Sequence, residues 1–191
     1  MTTGMTIGDW LSAARQRIDT LDARLLLQHV AGLSRTDLIA RPETPLQPEQ
    51  LARLEALVTR RAAGEPLAYL VEQAEFRGRP FRVSPAVLVP RPETEELVDL
   101  ALSTLNTLKR SGVAAPQILD LGTGSRAIPV SLALECPAAQ VTAVDVSPAA
   151  LAVARANGEA HGARVRWLES DWFAALKGEH FHLIVSNPPY I

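Results

Sequence analysis

QILDLGTGS (117–125) followed by VTAVDVS (141–147) decides the fold class. The first stretch is a short apolar strand, Ile118 to Leu121, running into a turn with Gly122 and Gly124. The second gives another strand, Val141 to Val146, with an acid, Asp145, at its end. VRWLES (165–170) and FHLIVS (181–186) supply a third and a fourth strand. Helical stretches separate them, Ala127 to Leu134 and Pro148 to His161. The latter has Ser147 as N-cap, Pro148 in its first turn and Gly162 just past its end. Strands that alternate with helices after a glycine turn predict a doubly wound parallel α/β sheet.

Upstream the rhythm is helical. Ile7, Trp10, Leu11, Ala14 and Ile18 form one apolar stripe, with Thr6 and Asp9 as a helix-start pair. A second helix places Leu21, Leu25, Leu26 and Val30 on one face and stops at Gly32. A third carries Leu51, Leu54, Leu57 and Val58 and ends at Gly64 and Pro66. EFRGRPFRV (75–83) predicts a β-hairpin about a Gly-Arg-Pro turn, with Arg77, Arg79 and Arg82 as a solvated face. VLVPRPETEELVDLAL (87–102) predicts a strand ending at Pro90 and then a helix. The expected organisation is a helical substrate-recognition domain over 1–75, a hairpin junction over 76–92, and a sheet domain from 93 to 191.

Composition narrows the class. The 19 basic and 21 acidic residues leave a net charge of −2, which argues against broad, charge-driven binding to a nucleic acid backbone. Mean hydropathy is +0.07, and no apolar run approaches a membrane span of about 20 residues. The first residues lack the basic and apolar regions of a signal peptide, and one cysteine, Cys136, suits a reducing cytoplasm. His180 and His182 share a strand face with no third metal ligand in view, so no metal site is expected.

The chemistry begins at the glycine turn. Gly122 and Gly124 let the chain bend sharply and admit a ligand. The third glycine of a dinucleotide fingerprint is missing, because Ala127 stands there. Asp145, 23 residues after Gly122, offers two carboxylate oxygens to a vicinal diol such as a ribose. Loop and acid together fit a dinucleotide or S-adenosylmethionine. Ser186-Asn-Pro-Pro-Tyr190 favours the second. A planar NH2 group can donate to the Asn187 side-chain oxygen and to the Pro188 carbonyl, while Tyr190 walls a flat substrate. The pattern points to methyl transfer onto a planar nitrogen without specifying which one.

DLGTGS, Asp145 and NPPY resemble the Rossmann-type, S-adenosylmethionine-dependent amino-methyltransferases. GEPLAYL (64–70), VLVPRPETEELV (87–98) and the helical N-terminal segment are similar to the protein-(glutamine-N5) methyltransferases of peptide chain release factors, the HemK/PrmC family. That resemblance implies methylation of the glutamine side-chain amide in the Gly-Gly-Gln motif of a class 1 release factor, in the cytoplasm, without membrane or direct nucleic-acid contact. It implies a cofactor loop of Gly122, Thr123, Gly124, Ser125 and Arg126, with Asp145 at the ribose and Trp172 beside the adenine. Asn187 then serves cofactor and substrate, and Asn187, Pro188, Pro189 and Tyr190 hold the target glutamine. Asn187, Pro188 and Tyr190 are the expected catalytic set. Arg126 stands where the family has a small residue. Pro129 predicts a loosened or shifted helix start if that helix is capped at Ser125. The family's sheet runs on for three further strands, so this sequence is expected to be cut short after its fourth. A methyltransferase for an exocyclic base amine and an inactive interaction module are the competing readings.

Overall fold

The computed structural model describes residues 4–124 and 127–188. Two compact units divide the chain, Met1–Glu72 and Gln73–Ile191.

In the first unit the helices are α1 (Ile7–Ala14), α2 (Thr20–Ala31), α3 (Arg35–Ala40), α4 (Pro48–Ala62) and α5 (Leu67–Leu70). The Thr6–Asp9 pair is a complete capping box: the Thr6 hydroxyl accepts the Asp9 N–H and the Asp9 carboxylate accepts the Thr6 N–H. An identical arrangement at Ser34 and Asp37 starts α3, a helix for which the sequence gives too short an apolar stripe. The core is built on Trp10, Leu26, Leu27, Leu54 and Val58. The packed face of α2 is Ala23, Leu26, Leu27 and Val30, the i, i+3, i+4, i+7 set. Leu21, expected on that face, is 59% exposed.

The second unit opens with a hairpin of β1 (Gln73–Phe76) and β2 (Arg79–Arg82), paired from Gln73↔Arg82 to Phe76↔Arg79. The connection is therefore Arg77-Gly78, not Gly-Arg-Pro. Both residues have positive φ, 50° and 70°, the geometry that matches the twist of a two-residue hairpin. Left-handed backbone costs a non-glycine residue about 1–2 kcal/mol. Arg77 offsets this through its guanidinium, which forms a forked pair with Glu135 at 2.8–2.9 Å and reaches Asp99 at 2.7 Å. Arg79 also meets Glu135, at 3.0 Å. These arginines are thus not the solvated face expected of them. Arg82 contributes its backbone instead: its N–H donates to Asn157 Oδ1 at 2.8 Å, and its carbonyl accepts from Asn157 Nδ2 at 2.9 Å. Phe76 and Phe81 drive the inner face of the hairpin into the core in edge-to-face contact.

After the hairpin come α6 (Glu93–Arg110), β3 (Gln117–Leu121), α7 (Ala127–Glu135), β4 (Gln140–Asp145), α8 (Pro148–His161), β5 (Val165–Glu169) and β6 (Leu183–Ser186). The sheet is parallel, in the order β5-β4-β3-β6. This is the doubly wound α/β sheet expected. Residues 84–92 form no strand, despite their valines. Three prolines, Pro85, Pro90 and Pro92, withhold the N–H groups that a ladder requires. Ser147, Pro148 and Gly162 bound α8 as the sequence indicates, with Gly162 at φ 66°. Pro129 is the third residue of α7, Ala127–Glu135, and the cap expected at Ser125 lies outside the described residues. Among the described residues no helix is long and apolar enough to cross a membrane.

The Arg77 guanidinium, and then Arg79, hold the Glu135 carboxyl below its ordinary value of 4.5 against the upward push of burial. A depressed folded value contributes stability that is present above pH 4.5 and lost as pH falls through the lowered value. Glu135→Gln is expected to cost about 1–3 kcal/mol at pH 7, in line with loss of charged hydrogen bonds. It should also flatten the acid limb of the stability profile. Urea midpoints at pH 7 and pH 3.5 check both, and an unchanged acid limb would exclude the pair as its source.

Candidate functional site

In a parallel sheet every strand ends on the same edge, and a cleft opens where the order of connections reverses. Here β3 leads to β4 and β5 on one side while β6 lies on the other, so the reversal falls between β3 and β6. A cavity of about 400 Å³ opens at that edge. Gly122–Gly124 after β3, Asp145–Ser147 after β4, Ser170–Trp172 after β5 and Asn187–Pro188 after β6 line it. Residues 86–91 and Thr94 close the remaining side.

Asp145 fixes the centre of this edge. Its Oδ2 accepts the Gly124 N–H at 3.0 Å and its Oδ1 the Ser147 N–H at 2.9 Å. Its own carbonyl accepts the Ser170 N–H at 3.0 Å, and the Thr123 N–H donates to Val144 O at 3.0 Å. Asp145 thus aligns the ends of three successive strands, through its carboxylate toward Gly124 and Ser147 and through its main-chain carbonyl toward Ser170. Each oxygen retains a further lone pair for a ligand hydroxyl. Gly122 and Gly124 take φ of 66° and 48°, and open space stands where a Gly122 Cβ would be.

Trp172 lines the cavity, 56% exposed, with φ 46°. A bulky residue in this region is held by its surroundings. The holding group is Ser170, buried to 6% exposure. Its hydroxyl donates to the Trp172 carbonyl at 2.9 Å and accepts the Ala175 N–H at 3.0 Å. Asp171 also lines the cavity.

Asn187 stands half-buried at the end of β6. Its Nδ2 donates to Thr94 Oγ1 at 3.0 Å. Next to it the Ser186 hydroxyl donates to Leu121 O at 2.9 Å, tying β6 to the end of β3. The cavity thus brings together Gly122, Thr123, Gly124, Asp145, Trp172, Asn187 and Pro188. Ser125, Arg126, Pro189 and Tyr190 lie outside the described residues. His182 serves the sheet instead: its Nδ1 accepts the Gln117 N–H at 3.0 Å. Cys136 is packed into the core. Sequence reasoning missed Thr94, Ser170 and Ser186, hydroxyl residues whose partners lie on other elements or across a turn.

The methyltransferase small domain matches residues 96–191, half of the chain. The chain belongs to that family. The PrmC N-terminal domain matches residues 9–71, over the helical unit ahead of the methyltransferase domain. Among curated relatives, the release factor glutamine methyltransferase of Bordetella pertussis is 53% identical over 172 residues, 90% of this chain and 62% of the relative. That of Escherichia coli is 47% identical over 171 residues, 89% of this chain and 60% of the relative. The chain therefore spans about three-fifths of the length of the curated relatives it matches. A crystal structure of ribosomal protein L11 methylase from Lactobacillus delbrueckii is 23% identical, at a TM-score of 0.42, over 56% of this chain and 51% of that one.

Ser170→Ala tests the support beneath Trp172. It removes the partner of the Ala175 N–H and of the Trp172 carbonyl, so unfolding in urea should show a loss of about 0.5–1.5 kcal/mol. The tryptophan emission of the native protein should shift as the turn relaxes. Unchanged stability and emission would mean that the turn holds itself.

Proposed function

We propose that this chain forms the S-adenosylmethionine site and the target clamp of a methyltransferase acting on the glutamine side-chain amide of the Gly-Gly-Gln motif in a class 1 peptide chain release factor. The observation that carries the reading is Asn187 on the cavity, with its amide nitrogen engaged by Thr94 and its oxygen without a hydrogen-bond donor among the described residues. The names of relatives about half identical in sequence support the same reaction. The reading places the protein in the cytoplasm with Cys136 reduced.

The cavity suits the cofactor in size and in chemistry. A carboxylate with lone pairs to spare faces it from Asp145, and the glycine turn brings bare backbone to its wall. When bound, S-adenosylmethionine supplies an electrophilic methyl group on a positively charged sulfur. Asp145 would hold the ribose hydroxyls, the Gly122–Gly124 turn the neighbouring polar groups, and Trp172 the flank of the adenine.

A glutamine amide nitrogen shares its lone pair with its carbonyl and is a weak nucleophile. A side chain of ordinary basicity cannot deprotonate it at neutral pH. The protein's task is therefore orientation. Asn187 Oδ1 and the Pro188 carbonyl would accept the two N–H groups and turn the nitrogen toward the cavity. Both acceptors favour the positive charge that develops there during transfer. Tyr190 would wall the amide plane.

Asp145→Ala should weaken S-adenosylmethionine binding at least about tenfold, since each hydrogen bond to a charged acceptor contributes roughly 1.5–3 kcal/mol. Titration calorimetry measures this, and unchanged affinity would remove Asp145 from the site.

Asn187→Ala should retain most cofactor affinity yet lower methyl transfer by on the order of 10²-fold. The assay takes the product of the full reading frame, labelled S-adenosylmethionine, and a release factor ending in Gly-Gly-Gln or Gly-Gly-Ala. Label on the first alone supports the glutamine reading. Equal label on both, or transfer only to DNA or RNA, overturns it.

A further inference from the structure

The stretch VLVPRPETEELV (87–98) runs along the cavity into α6, and Thr94, in the first turn of that helix, lines the cavity with residues 87–91. Thr94 is buried, at 9% exposure, and its backbone N–H donates to Arg91 O at 3.0 Å. Val98, one turn further along α6, is fully buried in the core. The Thr94 side chain thus projects from a rigid helix start, and its oxygen accepts the Asn187 Nδ2 hydrogen at 3.0 Å. Among the described residues this is the one hydrogen bond made by the Asn187 side chain.

We infer that Thr94 is a positioning residue that restrains the Asn187 amide against rotation and so keeps its Oδ1 available to the cavity. The inference rests on the reading of Asn187 as an acceptor for the target nitrogen. The two ends of an asparagine amide are nearly equal in size, and half a turn about the terminal torsion exchanges an acceptor for two donors. A planar target nitrogen brings N–H donors only. Facing it with the Asn187 NH2 would set donor against donor; facing it with Oδ1 makes a hydrogen bond. Thr94 restrains that torsion by accepting from the NH2 end; its hydroxyl could equally donate to an amide turned the other way, so the N–H donors of the target make this orientation the productive one. The residue contacts no reacting atom and acts through Asn187. The long separation in sequence, 94 to 187, makes it a coupling between the helix ahead of the sheet and the last strand of the unit.

Thr94→Val keeps the branched shape and removes the acceptor, while Thr94→Ser keeps the hydroxyl. In the product of the full reading frame, Thr94→Val should lower kcat about tenfold and leave the dissociation constant for S-adenosylmethionine within about twofold. Thr94→Ser should restore kcat to within about threefold of the parent. Thr94→Val on top of Asn187→Ala should cost nothing further, because both changes remove one function. A Thr94→Val kcat equal to the parent's, or a full additional loss in the double variant, overturns the inference. A readout without substrate separates it from the proposed reaction. The Asn187 side-chain amide protons, assigned by their disappearance in Asn187→Ala, should exchange with deuterium about tenfold faster in Thr94→Val. If the parent labels no release factor, the proposed reaction falls, and this exchange rate alone decides the role of Thr94: faster exchange upholds it and equal exchange ends it.

Discussion

The carboxylate of Asp145 bridges the N–H groups of Gly124 and Ser147, and the arrangement of the cavity depends on this bridge. Parallel strands bring their carboxyl ends to one edge, but adjacency alone leaves the loops beyond them free. A short acidic side chain at the end of the central strand can accept from the loop on its left and from the turn that begins the next helix. In doing so it fixes the glycine turn in its left-handed conformation and sets the first turn of α8. The Ser170 N–H on the Asp145 carbonyl extends the alignment to the third strand. The same group that organises the edge also presents spare lone pairs to the cavity.

Around this edge the second unit uses side chains in place of missing ladders. Asn157 offers both halves of its amide to the main chain of Arg82, much as a neighbouring strand would. His161 Nε2 meets Pro80 O at 2.7 Å, and Glu95 accepts the Arg77 N–H at 2.8 Å. With the Arg77–Glu135–Asp99 cluster, these contacts dock a two-stranded hairpin that would be marginal by itself. Residues 84–92 follow directly from that hairpin and supply one wall of the cavity, so the hairpin's anchorage bears on the site at a distance.

The proposed transfer to a glutamine amide asks little of acid–base chemistry and much of orientation. Ser170 supports a strained Trp172, Ser186 pins the strand that presents Asn187, and Thr94 engages the amide itself. Each is a small hydroxyl with a defined partner, and none bears a charge. Such a site is consistent with transfer to a weakly basic nitrogen, where added basicity would gain little and a misaligned amide would lose most of the rate.

Local patterns were legible in the residues alone: the βα alternation, the helix-start pair at Thr6 and Asp9, the bounds of α8, and Gly122, Asp145 and Asn187 at strand ends. These are local, because a glycine turn, a cap or an acid closing a strand acts through neighbours within a few residues. The tertiary structure alone decided which face of α2 is buried, where the hairpin turns, that Arg77 is clamped, and that the valines of 84–92 line a cavity in place of forming a strand. It also decided the partnership of Thr94 with Asn187. A hydroxyl has no periodicity and can meet many partners. Which one it meets depends on chain segments far apart in sequence that only packing brings together.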